Sequence, residues 1–203
     1  MEEDEGLQHG QVVAEPREAA SKGSVAVLAL VALLLCAPPA RQILDLRQGT
    51  LTYAVVHKLH EVRGTSKDVE GRALALPDGT VKVQVRAKVT SFDSGNSNRD
   101  VNMREVTHQA AYPYAEVRGT LSGVTLPLKG PREAVLHGTV ELNGEKKTRD
   151  VPVKLKPEDG GVRATFSFPI SLEGFKLERP RLLLVKVDDR AVVSGDLLFA
   201  AAK

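Results

Sequence analysis

Val81-Lys82-Val83-Gln84-Val85-Arg86-Ala87-Lys88-Val89-Thr90 is the stretch whose reading decides the fold. Val81, Val83, Val85, Ala87 and Val89 alternate with Lys82, Gln84, Arg86, Lys88 and Thr90. A period of two sends the two sets to opposite faces of an extended chain, so the segment reads as a long, half-buried antiparallel strand with a wet outer face. Pro77-Asp78-Gly79 just before it is turn chemistry, and it predicts that Asp68 to Leu76 folds back against the strand as a hairpin.

The pattern recurs downstream. Leu136, Gly138, Val140 and Leu142 alternate with Val135, His137, Thr139 and Glu141; Asn143-Gly144 supplies a hairpin turn, and Val151, Val153 and Leu155 continue beyond it. After Glu158-Asp159-Gly160-Gly161, the series Val162, Ala164, Phe166, Phe168 and Ile170 faces one side. Leu182 to Val187 and Ala191 to Ala200 read as the last strands. One helix is predicted between strands, Val101 to Gln109, with Asp100 as its cap and Tyr112-Pro113 as its stop. Eight to ten strands joined by tight turns give an all-β chain. Closure as an antiparallel up-and-down, lipocalin-like β-barrel with one short helix removes the exposed edges that an open sheet would leave.

Upstream of the strands, Val25 to Cys36 is a run of twelve apolar residues followed by Ala37-Pro38-Pro39-Ala40. A bilayer span needs about 20, whereas the run fits the apolar core of a secretory signal, although the acids Glu2 to Glu5 do not suit its basic leader. Residues 1–40 are therefore read as an N-terminal extension with a signal-peptide-like segment, residues 41–203 as the barrel domain, and the protein as periplasmic or otherwise extracytoplasmic. A buried or partner-seeking helix is the other reading of the run. Anchoring through an acylated Cys36 is a further alternative, weakened by the bulky Leu35 before it.

Composition narrows the function. The chain has 203 residues with 28 Lys and Arg against 26 Asp and Glu, and six of those acids but only Arg17 and Lys22 fall in 1–40, which leaves +6 in 41–203. That balance is compatible with transient contact with an anionic membrane surface and is not a nucleic-acid signature. No Trp and 4% aromatics argue against base-stacking platforms. A single cysteine excludes an internal disulfide framework and Cys-pair zinc sites.

No G-x-S-x-G, P-loop, G-x-G-x-x-G or H-E-x-x-H motif occurs, so the sequence points to no enzyme, cofactor or metal. His57 and His60 lie three apart in a stretch read as extended, which does not make a metal pair. The densest polar stretch is Ser91-Phe92-Asp93-Ser94-Gly95-Asn96-Ser97-Asn98-Arg99-Asp100. It reads either as Asx turns and a helix cap, or as a polar mouth over a ligand cavity in which Arg99 braces Asp93 and Asp100. Lys146, Lys147 and Arg149, with Arg179 and Arg181, read as solvated faces.

Several pieces together resemble the YceI family of bacterial envelope proteins: Thr52-Tyr53 leading into His57, Val62-Arg63-Gly64, Val69-Glu70-Gly71, Ser91 to Gly95, Arg99-Asp100, Met103, Tyr112-Pro113, and the hairpin from Gly138-Thr139-Val140-Glu141-Leu142 to Val151-Pro152-Val153. Asn102 departs from the pattern, since members commonly carry His two residues beyond the Arg-Asp pair. The resemblance implies an exported barrel without enzymatic activity whose apolar lumen holds a long isoprenoid chain, such as a polyprenyl lipid or a quinone tail.

A lumen of that kind needs aliphatic walls, because burial of the tail supplies about 25 cal/mol per Å² withdrawn from water. The candidate wall residues are Val83, Val85, Val89, Leu136, Val140, Val153, Phe166, Phe168 and Leu184, with Arg99 and Asp100 near the polar end of the ligand. The competing expectation is a structural or interaction module of the cell envelope, with a core filled by those same side chains. Alternation alone does not separate the two.

Overall fold

The computed structural model describes residues 41–57, 60–158, 160–179, 181–182 and 185–202. Its strands are β1 (Gln42–His57), β2 (His60–Ser66), β3 (Val69–Ala75), β4 (Val81–Lys88), β5 (Tyr114–Leu121), β6 (Arg132–Leu142), β7 (Glu145–Glu158), β8 (Gly161–Ser171), β9 (Arg181–Leu182), β10 (Val185–Lys186) and β11 (Arg190–Ala201). The helix α1 (Ser97–Val106) stands between β4 and β5. Residues 1–40, with the apolar run and Cys36, lie outside the described residues.

Nine strands pair antiparallel in the order β11-β8-β7-β6-β5-β4-β3-β1-β2, and β11 also pairs with β1. β2 and β3 follow one another along the same side of β1: Leu51 faces Ser66 and Asp45 faces Arg72, in a single continuous register. They count as one position round the ring, so eight positions close into a barrel with no free edge, as the hairpin pattern predicts. β9 and β10 form a separate short ladder.

Each strand points its apolar set inward. In β4, Val81, Val85 and Ala87 are buried while Lys82, Gln84 and Lys88 are not. β7 buries Val151, Val153 and Leu155 and exposes the residues between them. The outer face is laced by cross-strand ion pairs such as Arg72–Asp45 (2.8 Å), Arg86–Glu70 (2.6 Å) and Arg163 with Asp196 (2.6 Å). These exposed pairs favour the register more than they add stability.

Two irregularities shape the end of the barrel that carries α1. The β1–β11 register shifts between Leu46 and Gln48, so β1 turns Leu44 and Leu46 inward before the bulge and Leu51, Tyr53 and Val55 after it. The β7–β8 ladder runs only from Val153–Phe166 to Glu158–Gly161. Beyond it, a single 3₁₀ turn at Glu173–Phe175 packs against both strands, with Leu172, Phe175 and Leu177 buried.

The helix differs from its sequence expectation at both ends. Its cap is Asn96, whose side chain accepts from the backbone N–H of Asn98 and Arg99. Asp100 sits instead in the first turn, is 6% exposed, and accepts the Ser94 N–H at 3.0 Å. Asn96 wins because its extended backbone leaves its amide oxygen free to reach two orphan N–H groups. The helix stops at Val106, before Gln109, because the Thr107 hydroxyl turns back onto the Met103 and Arg104 carbonyls and His108 takes a positive φ of 47°.

Candidate functional site

A cavity of about 250 Å³ occupies the α1 end of the barrel. Its wall is built from inward positions that the register brings to one level. Val85 of β4 pairs with Val117 of β5, which pairs with Val140 of β6; on the other side Phe168 of β8 pairs with Val193 of β11, which pairs with Tyr53 of β1. All six line the cavity, joined by Leu51, Val55, Ile170, Ala191 and, from the 3₁₀ region, Leu172 and Leu177.

Helix α1 forms the roof. Arg99, Asn102, Met103 and Val106 face the cavity at spacings of i, i+3, i+4 and i+7, which is one face of a helix. Met103 and Val106 supply apolar cover, and the exposed Arg99 and Asn102 stand at the opening. The polar stretch before the helix acts as Asx turns: Asp93 accepts from Gly95 N–H at 2.7 Å and Asp100 from Ser94 N–H. Among the described residues neither carboxylate pairs with Arg99, so the expected brace is replaced by carboxylate-to-backbone bonds, which satisfy donors that the turn leaves free.

Tyr53 brings a phenol into the wall. Burial raises the pKa of its phenol, the Asp100 charge adds to this, and Arg99 opposes it. Its ring lies 5.7 Å from that of Phe92, centre to centre, and Phe92 also lines the cavity. Ser66, fully buried beside this corner, shares a 2.6 Å hydrogen bond with Ser91 and accepts the Asp68 N–H, tying β2 to the segment that leads into α1.

The far end of α1 is fastened by Asn143. Its amide nitrogen donates to the Phe175 and Lys176 carbonyls at 3.0 and 3.3 Å, so its oxygen is the acceptor for His108 Nδ1–H at 2.8 Å. One buried side chain thus joins the loop after α1, the β6–β7 turn and the 3₁₀ turn.

The sequence-predicted wall divides in two. Val85, Val89, Val140, Phe168 and Arg99 lie on the cavity. Val83, Leu136, Val153 and Phe166 also point inward and pack in the core outside that lining; Val153 and Phe166 border a separate, more open recess where the β7–β8 ladder ends. Asp100 serves the loop before α1, and Leu184 lies outside the described residues. His57 and His60 end β1 and begin β2 and are register partners. Among the described residues, no three or more His, Cys, Asp or Glu come together as a metal-holding group.

The sequence reading does not assign Tyr53, Leu51, Val55 or the α1 face to the wall. Alternation at 51, 53 and 55 and the 99-102-103-106 spacing carry that signal in the sequence.

The family model for the YceI-like domain matches residues 43–199. Among solved structures, the fold is similar to a polyisoprenoid-binding domain from Saccharophagus degradans, with a TM-score of 0.64 and 17% identity over 78% of this chain and 98% of that one. It is similar also to BcnA from Burkholderia cenocepacia (TM-score 0.62, 17% identity, 74% and 95% of the two chains) and to the YCEI protein of Campylobacter jejuni (0.53, 17%, 73% and 89%). At these identities the likeness is one of fold. No curated protein gives a significant match. With the family match running from the start of β1 almost to the end of β11, over the whole closed barrel, this chain belongs to the YceI family.

Proposed function

We propose that the protein binds an amphiphilic isoprenoid-type lipid, tail inside the barrel and polar end at the opening by Arg99 and Asn102, and carries or sequesters it without chemical change. The observation that carries this reading is the cavity itself: a roofed chamber whose walls are aliphatic and aromatic side chains from seven strands, Val62, Val85, Val117, Val140, Phe168, Val193 and Tyr53 among them. Such walls offer a branched hydrocarbon chain burial without stranding polar groups. The polyisoprenoid-binding domain of like fold supports the choice of tail chemistry. The Val25–Cys36 run supports export, and with it a site of action outside the cytoplasm.

Native mass spectrometry of protein purified from its own host tests the proposal. A bound species that dissociates as an isoprenoid-type lipid is the expected result. Protein that carries no lipid and takes up neither a quinone nor a polyprenol overturns it. The packed half of the barrel favours the other reading, an envelope structural or interaction module, and an empty protein would leave that reading in place.

A further inference from the structure

Resting on the binding reading above, we infer that the Tyr53 hydroxyl is a specificity-determining group of the lumen. It donates a hydrogen bond to an oxygen at the head of the bound tail, so the barrel prefers a prenylated carbonyl compound to a hydrocarbon of the same length. The wall itself does not ask for a phenol. Tyr53 stands at an inward position of β1 between Leu51 and Val55, with Val193 of β11 as its register partner. A phenylalanine there would supply the same ring surface and carry no polar atom to desolvate.

The backbone fixes where the hydroxyl lies. Gly64 of β2 has no Cβ, so the ring rests over it, and the phenol oxygen sits 2.6 Å from the place a Cβ would take. Gly64 is buried, and the next residue, Thr65, is bridged to Asp93 in the segment that leads into α1. Contacts with Gly64 and with the Phe92 ring hold the tyrosine, and with it the oxygen, in one place.

In that place the oxygen has no hydrogen-bond partner among the described residues. The polar groups around it are already engaged: Thr65 with Thr52, Ser66 with Ser91, and Asp100 with the Ser94 N–H. Nor is the oxygen sealed off, since among the described residues the one fully enclosed side-chain polar atom without a partner is Arg104 Nε. The open space on this face of the sheet is the cavity. A donor left over at the edge of an apolar chamber is one for a ligand to satisfy.

Its chemistry sets the class of ligand. Burial, foremost, raises the phenol pKa above its ordinary 10.0, so at neutral pH the group is a donor. Arg99 and Asn102 at the opening add further N–H donors. An acceptor oxygen next to the first isoprene unit, as in a ketone or a quinone carbonyl, meets this set, whereas a pure hydrocarbon leaves the hydroxyl unsatisfied.

The test offers the full chain an equimolar mixture, in one detergent, of farnesylacetone, a methyl ketone with an isoprenoid tail, and the hydrocarbon in which a methylene replaces its carbonyl. Native mass spectrometry reads the loading of both for the wild type and for Tyr53→Phe, which keeps the ring on Gly64 and removes the oxygen alone. Comparing the ketone-to-hydrocarbon ratio between the two proteins cancels partition into detergent. The expected result is a ratio about five- to tenfold higher in the wild type, with neither hydrocarbon loading nor melting temperature lowered by the substitution. Equal ratios overturn the assignment of Tyr53 and leave the binding reading standing. So does a variant that melts lower and loses both ligands alike, since that marks the hydroxyl as a structural group. Loading of neither ligand by the wild type removes the binding reading, and the assignment falls with it.

Discussion

Tyr53 covers Gly64. The two are register partners across β1 and β2, and a Cβ on Gly64 would fall 2.4 Å from Cε1 and 2.6 Å from the hydroxyl oxygen of the tyrosine. The glycine lets an aromatic ring lie flat on the inner face of the sheet and form cavity wall there without filling the lumen.

Gly64→Ala therefore pushes the Tyr53 ring off the sheet and towards the cavity. The expected outcome is a loss of about 1–3 kcal/mol in stability, the usual cost of overpacking, together with weaker tail binding. Denaturant unfolding and lipid loading, measured on the same preparation, check it. Unchanged loading shows that Tyr53 does not border the ligand.

Val85 lies on the cavity at 6% exposure, paired with Val117. Val85→Asp places a carboxylate among aliphatic groups and is expected to destabilise the domain by several kcal/mol or to abolish lipid retention. The neighbouring Gln84→Asp, on the wet face, is expected to change stability by about 0.5 kcal/mol or less. Equal melting temperatures for the two variants contradict the assignment of faces.

Asn143 and Gly144 both have positive φ, 53° and 72°, the geometry of a type I′ hairpin turn. Asn143→Gly keeps that backbone but leaves the Phe175 carbonyl without its buried donor, at a cost of about 1–3 kcal/mol. Asn143→Ala adds left-handed strain and is expected to be worse by about 1 kcal/mol. If the two unfold alike, the turn geometry carries no cost, and if neither differs from the wild type, the His108–Asn143–Phe175 junction is not holding the roof.

Asp189 holds the loop at Leu172–Leu177 in place. Its carboxylate accepts the Glu173 N–H at 2.8 Å and its carbonyl accepts the Leu172 N–H at 2.8 Å. The Glu173 N–H, foremost, and the Ser171 hydroxyl hold the carboxyl pKa below its ordinary 3.8. A depressed folded-state pKa contributes stability that is fully present above the unfolded-state value and disappears as pH falls through the folded-state one. The stability difference between wild type and Asp189→Asn is thus expected to be constant from neutral pH to about 5 and to shrink below about 4. Urea midpoints across that range check it, and a difference that grows on acidification contradicts the assignment.

Much of the architecture was legible in the chain itself. The alternation from Val81 to Val89, the turns at Pro77-Asp78-Gly79 and Asn143-Gly144, and the inward series through Phe168 and Ile170 each named a strand and its buried face correctly, because facing depends only on parity along an extended backbone. The helix was placed within a few residues. Its cap is not decided by sequence, because Asn96 and Asp100 are both good cap residues and only the backbone conformation at Asn96 chooses between them.

Depth was not legible. Val85 and Val83 have the same parity on one strand, yet one borders the cavity and the other sits in the packed half. Which is which depends on what meets them across the barrel axis: a phenylalanine folded onto a glycine 29 positions away, a tyrosine resting on another glycine, and a bulge near Arg47 that reverses the inward parity of β1. A local pattern tells a side chain which way to point. How much space is left depends on the summed volumes of side chains contributed by distant strands, and only closure of the barrel brings them together.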